Sequence, residues 1–282
     1  MDAVELFMPM RFKGKNVSVH ITTYGKNSKK QILCLHGFGS DGRDSFDNVA
    51  KYLSKDYQLI AIDWIGFGKT TRLLRKMDNY NHRYMSSFLE KFITIAIAKK
   101  ILKKRFSIFA VSMSGLMTGM LYKRIEKYLE SIIFLNPAGF DKEISAKFSV
   151  VMANPLLNQE KFLRIISKDI FWKQFLGLKD DQKTELFERF NNGEFDVFVR
   201  CVGNSVSITG RVKETHIYHK YHEITVPVLM IASKKDTMIT EQEYLKTAAK
   251  NNWKIVQIEH YDHVLVDQKP TEVANAVKKF LR

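Results

Sequence analysis

The 282-residue sequence predicts an α/β fold: a mostly parallel central sheet of about eight strands, helices on both faces, and an inserted helical cap. Three observations carry that expectation. Short, nearly unbroken apolar runs recur at 31–35, 57–62, 106–111, 131–135, 227–232 and 254–258. Longer segments with helical periodicity alternate with them, near 44–54, 84–103, 114–129, 241–251 and 271–281. Strands that are apolar throughout are buried on both faces, as in a parallel sheet covered by helices on each side. The third observation is a break in this rhythm. About ninety residues between 131–135 and 227–232 carry few strand signals, many aromatics and helical patterns.

Taken in order, residues 4–24 alternate apolar and polar around "KGKN" (13–16) and predict an opening β-hairpin. The alternating strands and helices that follow assign 1–140 and 223–282 to the core. Residues 141–222 are then the cap, or lid, inserted into it. Most cap aromatics, such as Phe171, Trp172 and Phe175, read as packing; a few are expected to line a pocket that the sequence does not identify.

Composition narrows the function classes. A chain of this length that is 45% hydrophobic can bury one large core. Its longest apolar stretches, such as "FITIAIA" (92–98), fall far short of the ~20 residues a membrane span needs, so no membrane partner is expected. The start, "MDAVELFMPM", lacks a basic segment of the secretory type, and Cys34 and Cys201 read as reduced thiols. A cytoplasmic location is the expectation. The net charge of +15 raises nucleic acid as a partner, but residues 1–140 hold most of the excess, 23 Lys and Arg against 11 Asp and Glu. The densest patch, "KKILKKRF" (99–106), closes a helical pattern, where cations complement the helix dipole. No recognition-helix, RRM or zinc-finger pattern accompanies it, so no nucleic-acid partner is expected.

Two chemistries compete for "QILCLHGFGSDGRD" (31–44). Gly37, Gly39 and Gly42 spell G-x-G-x-x-G after a strand, and Asp63 follows about twenty residues later, as in a dinucleotide site. Against this, Asp41, Asp44 and Asp47 crowd the start of the next helix, where they would repel a pyrophosphate. Phe46 is too bulky for close helix–strand packing, and a hairpin precedes the motif. The alternative is nucleophilic catalysis. "AVSMS" (110–114) lies at a strand-to-helix turn in the pattern small-x-Ser-x-small, with Ser112 at its centre. Centring on Ser114 would put Leu116 where only a small residue fits. A serine hydroxyl needs a histidine, and the histidine a carboxylate. Asp236 follows run 227–232 and His263 follows run 254–258; Asp141 and His260 are the rivals for those two places.

Together these segments resemble the α/β-hydrolase superfamily, of the capped serine hydrolase or esterase type. "LHGFG" (35–39) is similar to its H-G-x-G turn, and "DWIGFGKT" (63–70) to its D-x-x-G-x-G-x-S segment, with Thr70 at the Ser position. Ala110 and Ser114 replace the usual elbow glycines. Ser233 and Asp262 replace glycines before the acid and the histidine, while Asp267 and Pro270 match the D-x-x-P that opens the final helix. The resemblance implies an α/β-hydrolase fold and a catalytic triad of Ser112, Asp236 and His263. It implies an oxyanion hole from the backbone N–H groups of Phe38 and Met113, with His36 supporting that turn. No metal or organic cofactor is implied; His216, His219 and His222, at steps of three, would splay apart as ligands. The expected partner is a small-molecule acyl substrate, first a carboxylic ester of small or medium size. A thioester or a C–C bond beside a carbonyl could use the same triad, and a non-catalytic small-molecule receptor could use the same scaffold. A peptidase is disfavoured because its H-G-G-P-G loop is missing.

Overall fold

The computed structural model describes residues 3–25, 28, 30–73, 80–139, 194, 197, 200, 201, 221–236, 241–259, 263 and 265–282. It opens with the expected hairpin. Strands β1 (Val4–Phe12) and β2 (Lys15–Tyr24) pair antiparallel through the two-residue turn Lys13–Gly14. Both turn residues have positive φ, 47° and 79°, the conformation whose twist matches that of a hairpin. β2 pairs antiparallel with β4 (Gln58–Ile62), which lies beside β3 (Gln31–Leu35). From there β5 (Phe106–Val111), β6 (Leu129–Leu135), β7 (Val228–Ser233) and β8 (Lys254–Ile258) continue in parallel. The eight strands lie in the order β1-β2-β4-β3-β5-β6-β7-β8, a mostly parallel sheet of the kind expected.

Alternation along each strand builds two apolar layers. Ile32 and Cys34 of β3 face Phe46, Val49 and Leu53 of α1 (Gly42–Leu53) and Val273 and Val277 of α6 (Pro270–Leu281). Leu33 and Leu35 face the other way, toward Phe88 and Phe92 of α2 (His82–Ala98), Leu121 of α3 (Met113–Ile125) and Tyr244 of α4 (Glu241–Lys250). A short helix, α5 (Leu265–Gln268), precedes α6.

Two helices are shorter than their periodicity suggests. The second, expected to reach 103, ends at Ala98; Lys100 turns left-handed (φ 59°), and the N–H groups of Ile101 and Leu102 both bond to Ala96 O. The third, expected to reach 129, ends at Ile125 in a 3-10 turn, Glu126–Tyr128, and Leu129 already belongs to β6. Of the predicted cap, 141–222, only Glu194, Val197, Arg200, Cys201, Tyr221 and His222 are described. Val197 packs over Gly66, and Tyr221 covers Gly119 and donates to Ala138 O at 3.3 Å. Asp141, His216, His219 and His260 lie outside the described residues. Among the described residues no helix is long and apolar enough to cross a membrane.

Candidate active site

The parallel strands end on one side of the sheet, and the candidate residues come from the turns there. Ser112 joins β5 to α3 with φ 53° and ψ −121°, a conformation that strains a side-chain-bearing residue and lifts it above the sheet. Backbone bonds hold the strain in place. Ser112 N–H donates to Leu135 O at 2.9 Å, and Ser112 O accepts from Gly115 N at 2.9 Å and Ala138 N at 3.0 Å. The crossing is close enough to require glycine nearby: a Cβ on Gly115 would lie 2.6 Å from Pro137 Cβ.

His263 Nε2 lies 2.8 Å from Ser112 Oγ, and His263 Nδ1 lies 2.8 Å from Asp236 Oδ2. The Asp236 side chain is fully buried and that of His263 is 7% exposed, so the pair is shielded from water, while Ser112 is half-buried. Sequence reasoning missed two neighbours of this row. Tyr244 donates its hydroxyl to Asp236 Oδ2 at 2.9 Å; burial first, and the carboxylate second, push its pKa well up, so it remains a protonated donor. Asn136, at the end of β6, donates from Nδ2 to His263 O at 2.8 Å and accepts from Ser233 N–H at 2.8 Å. Asn136 was marked only as a polar residue directly after the apolar run 131–135, and Tyr244 only as an aromatic within the predicted helix 241–251.

The turn after β3 abuts the elbow: a Cβ on Gly37 would lie 3.2 Å from Ser112 Cβ. Phe38 follows, stacked on Phe67 at 5.3 Å, and Met113 is the first residue of α3, beside Ser112. His36 is buried beneath the turn. Its Nε2 accepts from Trp64 N–H at 3.0 Å and its Nδ1 donates to Gly37 O at 2.6 Å, which fixes a neutral tautomer. Trp64 Nε1–H is shared between His36 O at 3.0 Å and Ser114 Oγ at 2.9 Å, and Ser114 Oγ donates to His36 O. The serine standing in place of an elbow glycine thus ties the elbow to the turn.

A model of the α/β-hydrolase fold matches residues 30–270. The chain belongs to the α/β-hydrolase fold family. Over 247 residues, 77% of the chain, this α/β-hydrolase is 27% identical to a serine hydrolase-like protein of Dictyostelium discoideum, covering 66% of it. Over 265 residues, 90% of the chain, it is 23% identical to monoacylglycerol lipase ABHD6 of Homo sapiens, covering 75% of that protein. Matches to curated relatives span from 34% to 75% of the relatives' lengths where these two and a Danio rerio protein are compared. A solved thermophilic esterase from Thermogutta terrifontis superposes with a TM-score of 0.75, at 14% identity, over 100% of this chain and 98% of that one. At that identity the likeness is one of fold.

The second glycine loop of this α/β-hydrolase is organised by Asp63. Its carboxylate accepts from Gly42 N and Lys69 N, both at 2.8 Å, and faces His20 Nδ1 at 2.8 Å. The Gly42 amide that a dinucleotide site would offer to phosphate is therefore held by a carboxylate. Asp41 caps α1 by accepting from Asp44 N at 2.9 Å. Thr70 Oγ1 donates to Asp63 O and accepts from His20 N, each at 2.9 Å, which gives the hydroxyl at that position a bridging task. Among the described residues no group of three or more His, Cys, Asp or Glu is placed to hold a metal ion.

Proposed function

We propose that this α/β-hydrolase is a serine hydrolase that cleaves a small or medium carboxylic ester through an acyl-enzyme. The observation that carries the reading is the hydrogen-bonded row Ser112 Oγ–His263 Nε2 and His263 Nδ1–Asp236 Oδ2, each contact 2.8 Å. In the proposed mechanism, His263 takes the Ser112 proton as the oxygen attacks the ester carbonyl. Asp236 holds the Nδ1–H tautomer and stabilises the imidazolium. The amides of Phe38 and Met113 receive the oxyanion; losing one such donor typically costs ~3 kcal/mol of barrier. The tetrahedral intermediate expels the alcohol, which leaves with the proton from His263. Water, deprotonated by the same imidazole, then attacks the acyl-serine and releases the acid, and His263 returns the proton to Ser112.

Residues 141–222, as the cap, would select the acyl group. The two buried thiols, Cys34 and Cys201, support a cytoplasmic setting in this reading. A fluorophosphonate probe should label the wild type and not Ser112→Ala. p-Nitrophenyl acetate and butyrate should be hydrolysed, in a panel that also holds thioesters and a monoacylglycerol. A wild type that neither takes the probe nor turns over any acyl substrate, yet binds a small molecule tightly, would replace the enzyme with a receptor.

A further inference from the structure

β6 supplies none of the three candidate catalytic side chains, yet its end touches all three of the segments that do. Leu135 O accepts from Ser112 N–H, and Ala138 N–H donates to Ser112 O. Between them sits Asn136, fully buried, in the left-handed region at φ 42°. Its backbone N–H donates to Ile231 O at 2.9 Å. Its side chain reaches in two directions, from Nδ2 to the carbonyl of His263 and from Oδ1 to the N–H of Ser233, three residues before Asp236.

We infer that Asn136 is a positioning residue, clamping the turn that carries His263 to the strand end that leads to Asp236. The inference rests on the serine hydrolase reading for its kinetic consequence. The amide orientation follows from its partners: a carbonyl needs a donor and an N–H needs an acceptor, so the group cannot be reversed without losing both bonds. Few other side chains meet the demands of the site. Aspartate has no proton to donate when ionised, glutamine is one methylene too long, and serine offers one atom where two separated ones are needed. Asparagine also tolerates left-handed backbone better than most residues. The His263–Asp236 contact joins two loops 27 residues apart, and the clamp spans the same two loops through main-chain groups. It fixes where the imidazole stands without touching the ring.

The test uses the full chain with Asn136→Gly and Asn136→Asp. Glycine takes the φ of 42° without strain, so it removes both side-chain bonds without forcing the backbone out of its conformation. Aspartate keeps an acceptor for Ser233 N–H and removes the donor to His263 O. Both should lower kcat on p-nitrophenyl butyrate by about 10- to 100-fold, the scale of small misplacements in a reacting constellation, with KM within about twofold. The His263 Nδ1 proton facing Asp236 should give a far-downfield proton NMR signal, assigned by its loss in His263→Gln. In both variants that signal should broaden or move upfield, which a loss of general stability would not produce in a chain that still melts cooperatively. Wild-type kcat with an unchanged signal in either folded variant overturns the inference. A wild type that no fluorophosphonate labels overturns the hydrolase reading instead; the NMR signal still decides the clamp, because it needs no substrate.

Discussion

Tyr244 donates its hydroxyl to Oδ2 of Asp236, the same oxygen that faces His263 Nδ1, at 2.9 and 2.8 Å. One carboxylate oxygen is thus held from the α4 side and presented to the imidazole. Tyr244→Phe removes the donor and keeps the ring in the core. A hydrogen bond of this kind contributes on the order of 1 kcal/mol, which as transition-state stabilisation is about fivefold in rate. We expect kcat to fall by about three- to tenfold with KM near the wild-type value. Steady-state kinetics on p-nitrophenyl butyrate decide it; an unchanged kcat would mean that Asp236 is held well enough without the hydroxyl.

Ser114 offers a second handle, because the usual residue there in the family it resembles is glycine. Ser114→Gly would remove the hydroxyl that bridges Trp64 Nε1 and His36 O, leaving Trp64 its own bond to His36 O. The loss of these two buried bonds and the added backbone freedom of glycine should cost about 2–3 kcal/mol of stability, read by urea unfolding. If the turn before Phe38 loosens as well, fluorophosphonate labelling should slow by about tenfold. Ser114→Ala should give the slower labelling with less loss of stability, since it adds no backbone freedom.

The hairpin strands β1 and β2 were legible from their alternation, and β3 to β8 because each is a short apolar run closed by polar or turn residues; β3, β5 and β8 keep the bounds their composition suggests. Helix ends were less so. Ile101 and Leu102 continue the helical pattern of α2, but the chain turns at Lys100, and local periodicity holds no sign of that. At the site, Ser112, Asp236 and His263 stood out because each is a reactive residue type placed just after a strand. Asn136, Trp64 and Tyr244 did not, because their importance lies in partners that only the folded sheet brings near. Asn136 meets His263 across 127 positions, and Trp64 meets Ser114 across 50.

Two glycines separate steric crowding from backbone strain. Gly115→Ala would put a Cβ 2.6 Å from Pro137 Cβ and force the elbow away from the end of β6. Overpacking of this kind costs about 1–3 kcal/mol, and labelling of Ser112 should slow with it. Gly14, by contrast, has open space around it but a φ of 79° in the hairpin turn. Gly14→Ala should cost about 1–2 kcal/mol through the backbone alone and leave labelling unchanged. Thermal melts of the two variants, paired with labelling rates, test both; slowed labelling in Gly14→Ala would break the distinction.

His20 sets a pH dependence of stability away from the candidate catalytic row. The ring is buried between Asp63 and Glu5, at 2.8 and 3.2 Å. Burial works to lower its pKa, but the two carboxylates outweigh it and the net shift is upward from 6.5. Glu5 is held down at about 2, first by its hydrogen bond from Lys69, with Arg43 and His20 adding to it against desolvation. For Asp63 burial works to raise the pKa, and the bonds from His20 and from the backbone amides of Gly42 and Lys69 bring it below its usual value. A raised histidine stabilises the fold below its unfolded value near 6.5 and loses that contribution as pH rises through the folded value. The lowered carboxylates stabilise it above their unfolded values, near 4, and lose that contribution as pH falls through the folded ones. The three terms therefore coincide between about pH 4.5 and 6.5. His20→Gln should cost on the order of 1 kcal/mol more at pH 5.5 than at pH 9, measured as the difference in unfolding free energy from wild type. Equal losses at the two pH values would mean that His20 is neutral in the folded chain throughout, and that its ring serves Asp63 and Glu5 as an uncharged bridge.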